Sequence, residues 1–194
     1  MSVGLLLLSA ALILTINNIL GERRAQRISQ DVANQLAQQI TVLQDDENSS
    51  KIPDYILYPN KEMPIIMING KKYIGYLEIP DLDKRLPVAA GEWSEEKLKY
   101  GPCLYEGSVY QDNIVIAGHN YRSQLGSLYR LPLESEVRFV DGEGNVFTYF
   151  VGDIEVIDQN GVEEMVTEGE WDLTIFTCTW SGRERYTVRC YKND

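Results

Sequence analysis

The 194 residues carry 18 Lys and Arg against 29 Asp and Glu, a formal net charge of -11, with a single histidine. That balance argues against a nucleic-acid binder, which needs clustered cations, and the length holds one moderate domain plus a membrane segment. Three scattered cysteines, Cys103, Cys178 and Cys190, exclude a disulfide scaffold, and without CxxC or histidine spacing they exclude a zinc site.

Val3 to Leu20 is an apolar run broken only by Ser9, Thr15, Asn17 and Asn18. At helical rise it reaches the lower end of the membrane-spanning range. No Lys or Arg precedes it, and Ser9-Ala10-Ala11 lies inside the run rather than after it. An uncleaved transmembrane anchor over residues 1–21 is expected, not a signal peptide. Arg23, Arg24 and Arg27 follow the run; the positive-inside rule would keep that side cytoplasmic. Ile28, Val32, Leu36 and Ile40 then recur every fourth position, which predicts an amphipathic helix, either a stalk or an element packed on the domain. Asp45 to Ser50 is a polar break. Residues 22–60 read as helical stalk and linker, and 61–194 as the folded domain.

Strand patterns follow. Ile65 to Ile68 and Lys72 to Ile79 flank Asn69-Gly70, a two-residue hairpin signal. Further strands are expected at Pro87 to Ala90, Asn113 to Ala117, Glu136 to Val140, Asn145 to Ile157, Asp172 to Thr177 and Arg185 to Tyr191. Ser94 is placed to cap a short helix through Tyr100, with Glu95 and Glu96 in its first turn. Twelve Tyr, three Trp and many Val and Ile suit a mainly β fold. About eight strands with short turns and one or two helical pieces predict a closed or nearly closed β-barrel.

The chemistry concentrates near the C-terminus. Cys178 ends an apolar strand, and Arg183, Arg185 and Arg189 lie along the next one. A thiol facing a guanidinium suits attack on a carbonyl, because the cation favours both thiolate and oxyanion. A small buried hydrophobe is the competing reading of such a cysteine. A nucleophilic cysteine ordinarily works with a histidine, and the one histidine, His119, follows a glycine at the end of its own apolar strand, Ile114-Val-Ile-Ala-Gly-His119. Strand alternation puts Arg185 and Arg189 on one face, so periodicity does not choose between them. Cys103 and Cys190 read as buried thiols, with a Cys103–Cys190 disulfide as the alternative.

Thr174-Ile-Phe-Thr-Cys178 resembles the TLxTC signature of sortases, with Ile in place of the usual Leu. Ala117-Gly-His119-Asn120 is similar to the sortase histidine segment, and Arg185-Tyr-Thr-Val-Arg189 to the strand that carries the family's essential arginine. His119 lies 59 residues before Cys178, and Arg185 seven after it. The resemblance runs from about residue 72 to 191. It implies a membrane-anchored cysteine transpeptidase with a closed eight-stranded β-barrel, outside a Gram-positive cell. Its substrate would be an LPxTG-like surface protein, cut between Thr and Gly through a thioacyl intermediate and passed to an amine of a peptidoglycan precursor or another acceptor. An outward-facing domain conflicts with the charge reading of Arg23, Arg24 and Arg27, and the resemblance is preferred.

In that frame Cys178 is the nucleophile, His119 the proton carrier and Arg185 the oxyanion ligand. Thr177, Asn120 and Arg189 are candidate substrate-binding residues. Free cysteine and histidine titrate near about 8.5 and 6.5, so roughly 1% of molecules would hold thiolate and imidazolium together near neutrality; a slow enzyme is expected. Gly118-His-Asn and Gly126-Ser-Leu128 resemble the class B branch, although the loop from Asp158 to Trp171 has no room for that branch's long helix. With the chain stopping at Asp194, neither a second span nor a pilin-type lid motif is expected, which favours class B-like or minor-class anchoring over pilin polymerisation. A cysteine hydrolase and a non-catalytic anchored barrel are the other readings. No cofactor is expected. The acidic stretch Asp158 to Glu170 reads as a solvated loop rather than a Ca²⁺ site.

Overall fold

The computed structural model describes residues 2–46, 52–91, 93–166 and 171–192. A single helix, α1 (Ser2–Asp46), runs through both the apolar segment and the amphipathic one. Nothing interrupts it, since the stretch lacks proline and its two glycines, Gly4 and Gly21, cost only about 1 kcal/mol each in a helix. Asp45 and Asp46, expected in the linker, belong to its last turn, and 47–50 lie outside the described residues. The second half of α1 is not a free stalk. Val32 and Leu36 are buried against Ile68, Tyr73, Ala89, Leu98 and Cys103. The side chains from Gly4 to Leu20, by contrast, are exposed.

Among the described residues nine strands follow: β1 (Ile66–Ile68), β2 (Lys71–Ile79), β3 (Lys84–Ala89), β4 (Cys103–Glu106), β5 (Ile114–Gly118), β6 (Glu136–Asp141), β7 (Val146–Asp158), β8 (Leu173–Cys178) and β9 (Glu184–Tyr191). They are ordered β1-β2-β3-β4-β5-β8-β9-β7-β6, and β2 also pairs with β6. That last pairing closes a ring of eight strands, with β1 an extra strand outside it. The expected eight-stranded barrel is therefore present. The four-residue β4 was not anticipated, being too short to show alternation. At the β1–β2 turn Asn69 and Gly70 both take positive φ, 50° and 73°, as a primed hairpin turn demands. Among the described residues there are also three short α-helices, α2 (Asp54–Leu57), α3 (Glu95–Leu98) and α4 (Val162–Met165), and two 3-10 turns at Pro80–Leu82 and Leu128–Arg130. Ser94 caps α3 as expected, its Oγ accepting from the Lys97 amide.

Inward residues such as Leu77, Val88, Ile114, Ile116, Phe139, Tyr149, Leu173, Ile175 and Val188 fill the barrel. On the outside of β5 and β8, Val115, Ala117 and Phe176 pack with Ile157 and Met165. These two strands are thus buried on both faces, which explains why they are apolar throughout except for Thr174 and Thr177 of β8. They pair in parallel, so both present their C-terminal ends at the same rim of the barrel.

Candidate active site

The parallel register of β5 and β8 matches Gly118 with Thr177. One step further along each strand come His119 and Cys178. The antiparallel register of β8 and β9 sets Cys178 directly opposite Arg185, where side chains share a face. His119, Cys178 and Arg185 therefore form one row across three adjacent strand ends.

Two side-chain bonds tie β5 to β8 on either side of that row. The Thr177 hydroxyl donates to the Gly118 carbonyl at 2.9 Å. Asn120 Nδ2 donates to the Thr179 carbonyl at 3.3 Å. Gly118 is required here for space, because a Cβ would come within 2.4 Å of Leu125 Cδ1. The histidine loop is held from beneath by Gln124, which is 0% exposed. Its Oε1 accepts from the His119 amide at 3.3 Å, and its Nε2 donates to the Leu98 carbonyl at 3.0 Å. The imidazole stacks on Tyr121, with ring centroids 4.6 Å apart.

Burial holds His119 below the ordinary histidine range; Glu95 pulls its pKa back up and Lys99 pushes it down. The cationic form of this imidazole is therefore disfavoured. All three cysteines are free thiols; Cys103 and Cys190 are buried, Cys178 half-buried. Burial raises the Cys103 pKa to about 11 and pushes Cys190 up as well. Cys178 is the thiol a substrate can reach.

A family model for the sortase domain matches residues 77–193. The chain belongs to the sortase family. Among solved structures it is similar to sortase C1 of Streptococcus suis, with 26% identity and TM-score 0.55 over 63% of this chain and 73% of that one. Sortase D5 transpeptidase of Clostridium perfringens gives TM-score 0.62 at 16% identity, over 87% of this chain and 99% of that one. Clostridium perfringens sortase C, solved with the C-terminal cell wall sorting motif, gives TM-score 0.56 at 20% identity, over 94% and 99%. No curated protein sequence matches.

Other expected site residues of this sortase fall elsewhere or act differently. Thr177, expected to donate to substrate, is 1% exposed, and its hydroxyl instead donates within the sheet. Asn120 is on the rim, but its amide joins strand ends. Arg189 pairs with Thr174, four residues from Arg185 and so about 13 Å along the strand. It is 3% exposed; its Nη1 donates to the Met165 carbonyl and Thr174 Oγ1, and its Nε faces Glu155. Arg189 thus fastens α4 to the barrel, away from Cys178. In the acidic stretch, Glu168 and Glu170 lie outside the described residues. Asp158 accepts from the Asn160 amide and side chain, and no group of three metal-ligating side chains occurs among the described residues. Gln124, Glu95 and Lys99 were missed by sequence reasoning. A glutamine in a polar loop gives no hint of burial, and α3 meets His119 only in three dimensions.

Proposed function

We propose that this sortase is a membrane-anchored cysteine transpeptidase that cleaves an LPxTG-like sorting signal and hands the cut protein to an amine of the cell wall. The observation that carries the reading is the row His119, Cys178, Arg185 across three strand ends. The Cys178 thiolate attacks the threonine carbonyl, and the carbonyl electrons move to oxygen. Arg185 steadies that oxyanion; its Nη1 donates to the Gly182 and Glu184 carbonyls, and its other N–H groups would donate to the substrate oxygen. As the oxyanion collapses the C–N bond breaks, and imidazolium of His119 protonates the departing glycine amine. The thioester then meets an acceptor amine; His119 takes its proton and the Cys178 thiolate leaves. The cell wall acceptor and the sorting signal fit the family and the C. perfringens sortase C structure solved with the C-terminal cell wall sorting motif. The short α4 between β7 and β8 weighs against a class B enzyme with its long helix, whereas Gly118-His-Asn and Gly126-Ser-Leu128 weigh for that branch; a minor anchoring class accommodates both. The apolar half of α1 is long enough to cross a membrane and would hold the barrel on the outer face.

The test is incubation of the full chain in detergent with an LPxTG-like peptide library, with and without an amine, followed by mass spectrometry. A thioacyl adduct on Cys178 that an amine resolves to a new amide supports the reading. No adduct, or product formation unchanged in Cys178→Ala, refutes it; hydrolysis indifferent to any amine makes the chain a hydrolase instead.

A further inference from the structure

The polar boundary of α1 is sharp. Leu20 ends the apolar run, and Glu22, Arg23, Arg24 and Arg27 follow within two turns. These charges cannot enter hydrocarbon cheaply, so the bilayer surface lies at the turn from Asn17 to Glu22. That turn is not remote from the catalytic rim. A cleft of about 660 Å³ is walled on one side by Ile19 and Glu22 and on the other by Tyr121, Arg122, Tyr129 and Trp180. The Ser123 amide donates to Glu22 Oε1 at 3.4 Å, and α1 is packed on the barrel two turns further on through Ser29, Val32 and Leu36. Helix and barrel rim thus reach the same level.

What the rim displays there suits lipid rather than water. Trp180, two residues after the nucleophile, is 97% exposed, and Tyr129 is an exposed aromatic beside it in the cleft wall. Tryptophan and tyrosine favour the headgroup layer, where the ring is apolar and its N–H or O–H stays wet. Arg122 and Arg130 share the cleft wall with them and are exposed, and Arg23, Arg24 and Arg27 are exposed on α1 just past the apolar run, a concentration of cations near the boundary on a chain of net charge -11. Anionic headgroups complement such a concentration.

We infer that the Cys178 rim of the barrel rests on the anionic bilayer that α1 enters, with Trp180 and Tyr129 in the headgroup layer. This builds on the reading of α1 as a membrane span. Catalysis would then take place at the membrane interface.

The experiment places the full chain in phosphatidylcholine–phosphatidylglycerol vesicles whose acyl chains carry bromine near the headgroup. Fluorescence of the native chain minus that of Trp180→Phe isolates Trp180, and vesicle flotation after a carbonate wash reports insertion of α1. The expected result is a floating chain whose Trp180 signal is lost to bromine, more so with phosphatidylglycerol than with phosphatidylcholine alone. A floating chain with Trp180 unquenched overturns the inference and leaves the anchor standing. Trp180 shielded from aqueous acrylamide yet untouched by bromine identifies a protein partner and overturns it too. A chain that does not float overturns the span itself.

Discussion

Gln124→Ala tests whether the histidine loop is held from below. The side chain is fully buried and bridges two backbone groups, the His119 amide and the Leu98 carbonyl. Removing it strands both, at about 1–3 kcal/mol each when buried. A total of about 3 kcal/mol is reasonable for a loop that can partly relax. At about 2–4 °C per kcal/mol for a chain of this size, the melting temperature should fall by roughly 6–12 °C in calorimetry. The His119 amide is freed in the same step, and a displacement of about 1 Å at a reacting group costs on the order of 100-fold in rate. Gln124→Glu separates the two effects. It keeps an acceptor for the His119 amide but sets an oxygen against the Leu98 carbonyl, and its negative charge favours the imidazolium. Peptide cleavage followed against pH should show the acid limb moving up in Gln124→Glu. A Gln124→Ala chain that melts within about 2 °C of native and retains its kcat/KM would refute the reasoning.

Arg185→Ala should lower kcat/KM by about 100-fold or more, as for a lost oxyanion donor, with little change in melting. Arg189→Ala should instead lower the melting temperature by several degrees through the stranded Met165 carbonyl, and the reverse pattern would exchange their roles. Glu95→Gln removes the carboxylate that raises the His119 pKa, and Lys99→Gln the cation that lowers it. The acid limb of kcat/KM should therefore move to lower pH in the first and to higher pH in the second; titration at low salt checks both. Leu36→Ala should cost about 2–5 kcal/mol, since Leu36 is 0% exposed. By the same argument a domain begun at residue 52 should melt well below one begun at residue 22, because it bares Ile68, Tyr73 and Leu98.

Much of the barrel was legible because every strand but the four-residue β4 has its own local signature. Asn69-Gly70 announces its turn, whereas β9, with Thr187, Val188, Arg189 and Cys190 all buried, is covered on both faces. The fate of α1 was not legible. Ile28, Val32, Leu36 and Ile40 give a stripe, and a stripe alone does not say whether it covers a barrel or stands free. Candidate site residues divide in the same way. Cys178, His119 and Arg185 sit at strand ends, where sequence position and spatial position nearly coincide. Thr177 and Arg189 lie one and four steps inside the sheet, where pairing partners decide what a polar side chain meets. The Gly118 carbonyl and α4 were those partners, and neither can be read from the segment around Cys178.

The 59-residue spacing between His119 and Cys178 has a physical meaning. In a parallel pair, partner residues differ in number by a constant, and Gly118–Thr177 fixes that constant for β5 and β8. Asn120 and Thr179, joined by a side-chain bond, obey it as well. The spacing is thus the register of one strand pair, continued past the last ladder bond. Loops between the two strands can vary in length without moving histidine from cysteine, provided that the strands keep their pairing. In the antiparallel pair β8–β9 the numbers run in opposite directions, so only one position faces Cys178, and it is Arg185. Arg183 lies beyond the ladder in the turn, and Arg189 is matched to Thr174. The alternation that put Arg185 and Arg189 on one face left both eligible. Register separates them, because sharing a face places no limit on distance along it.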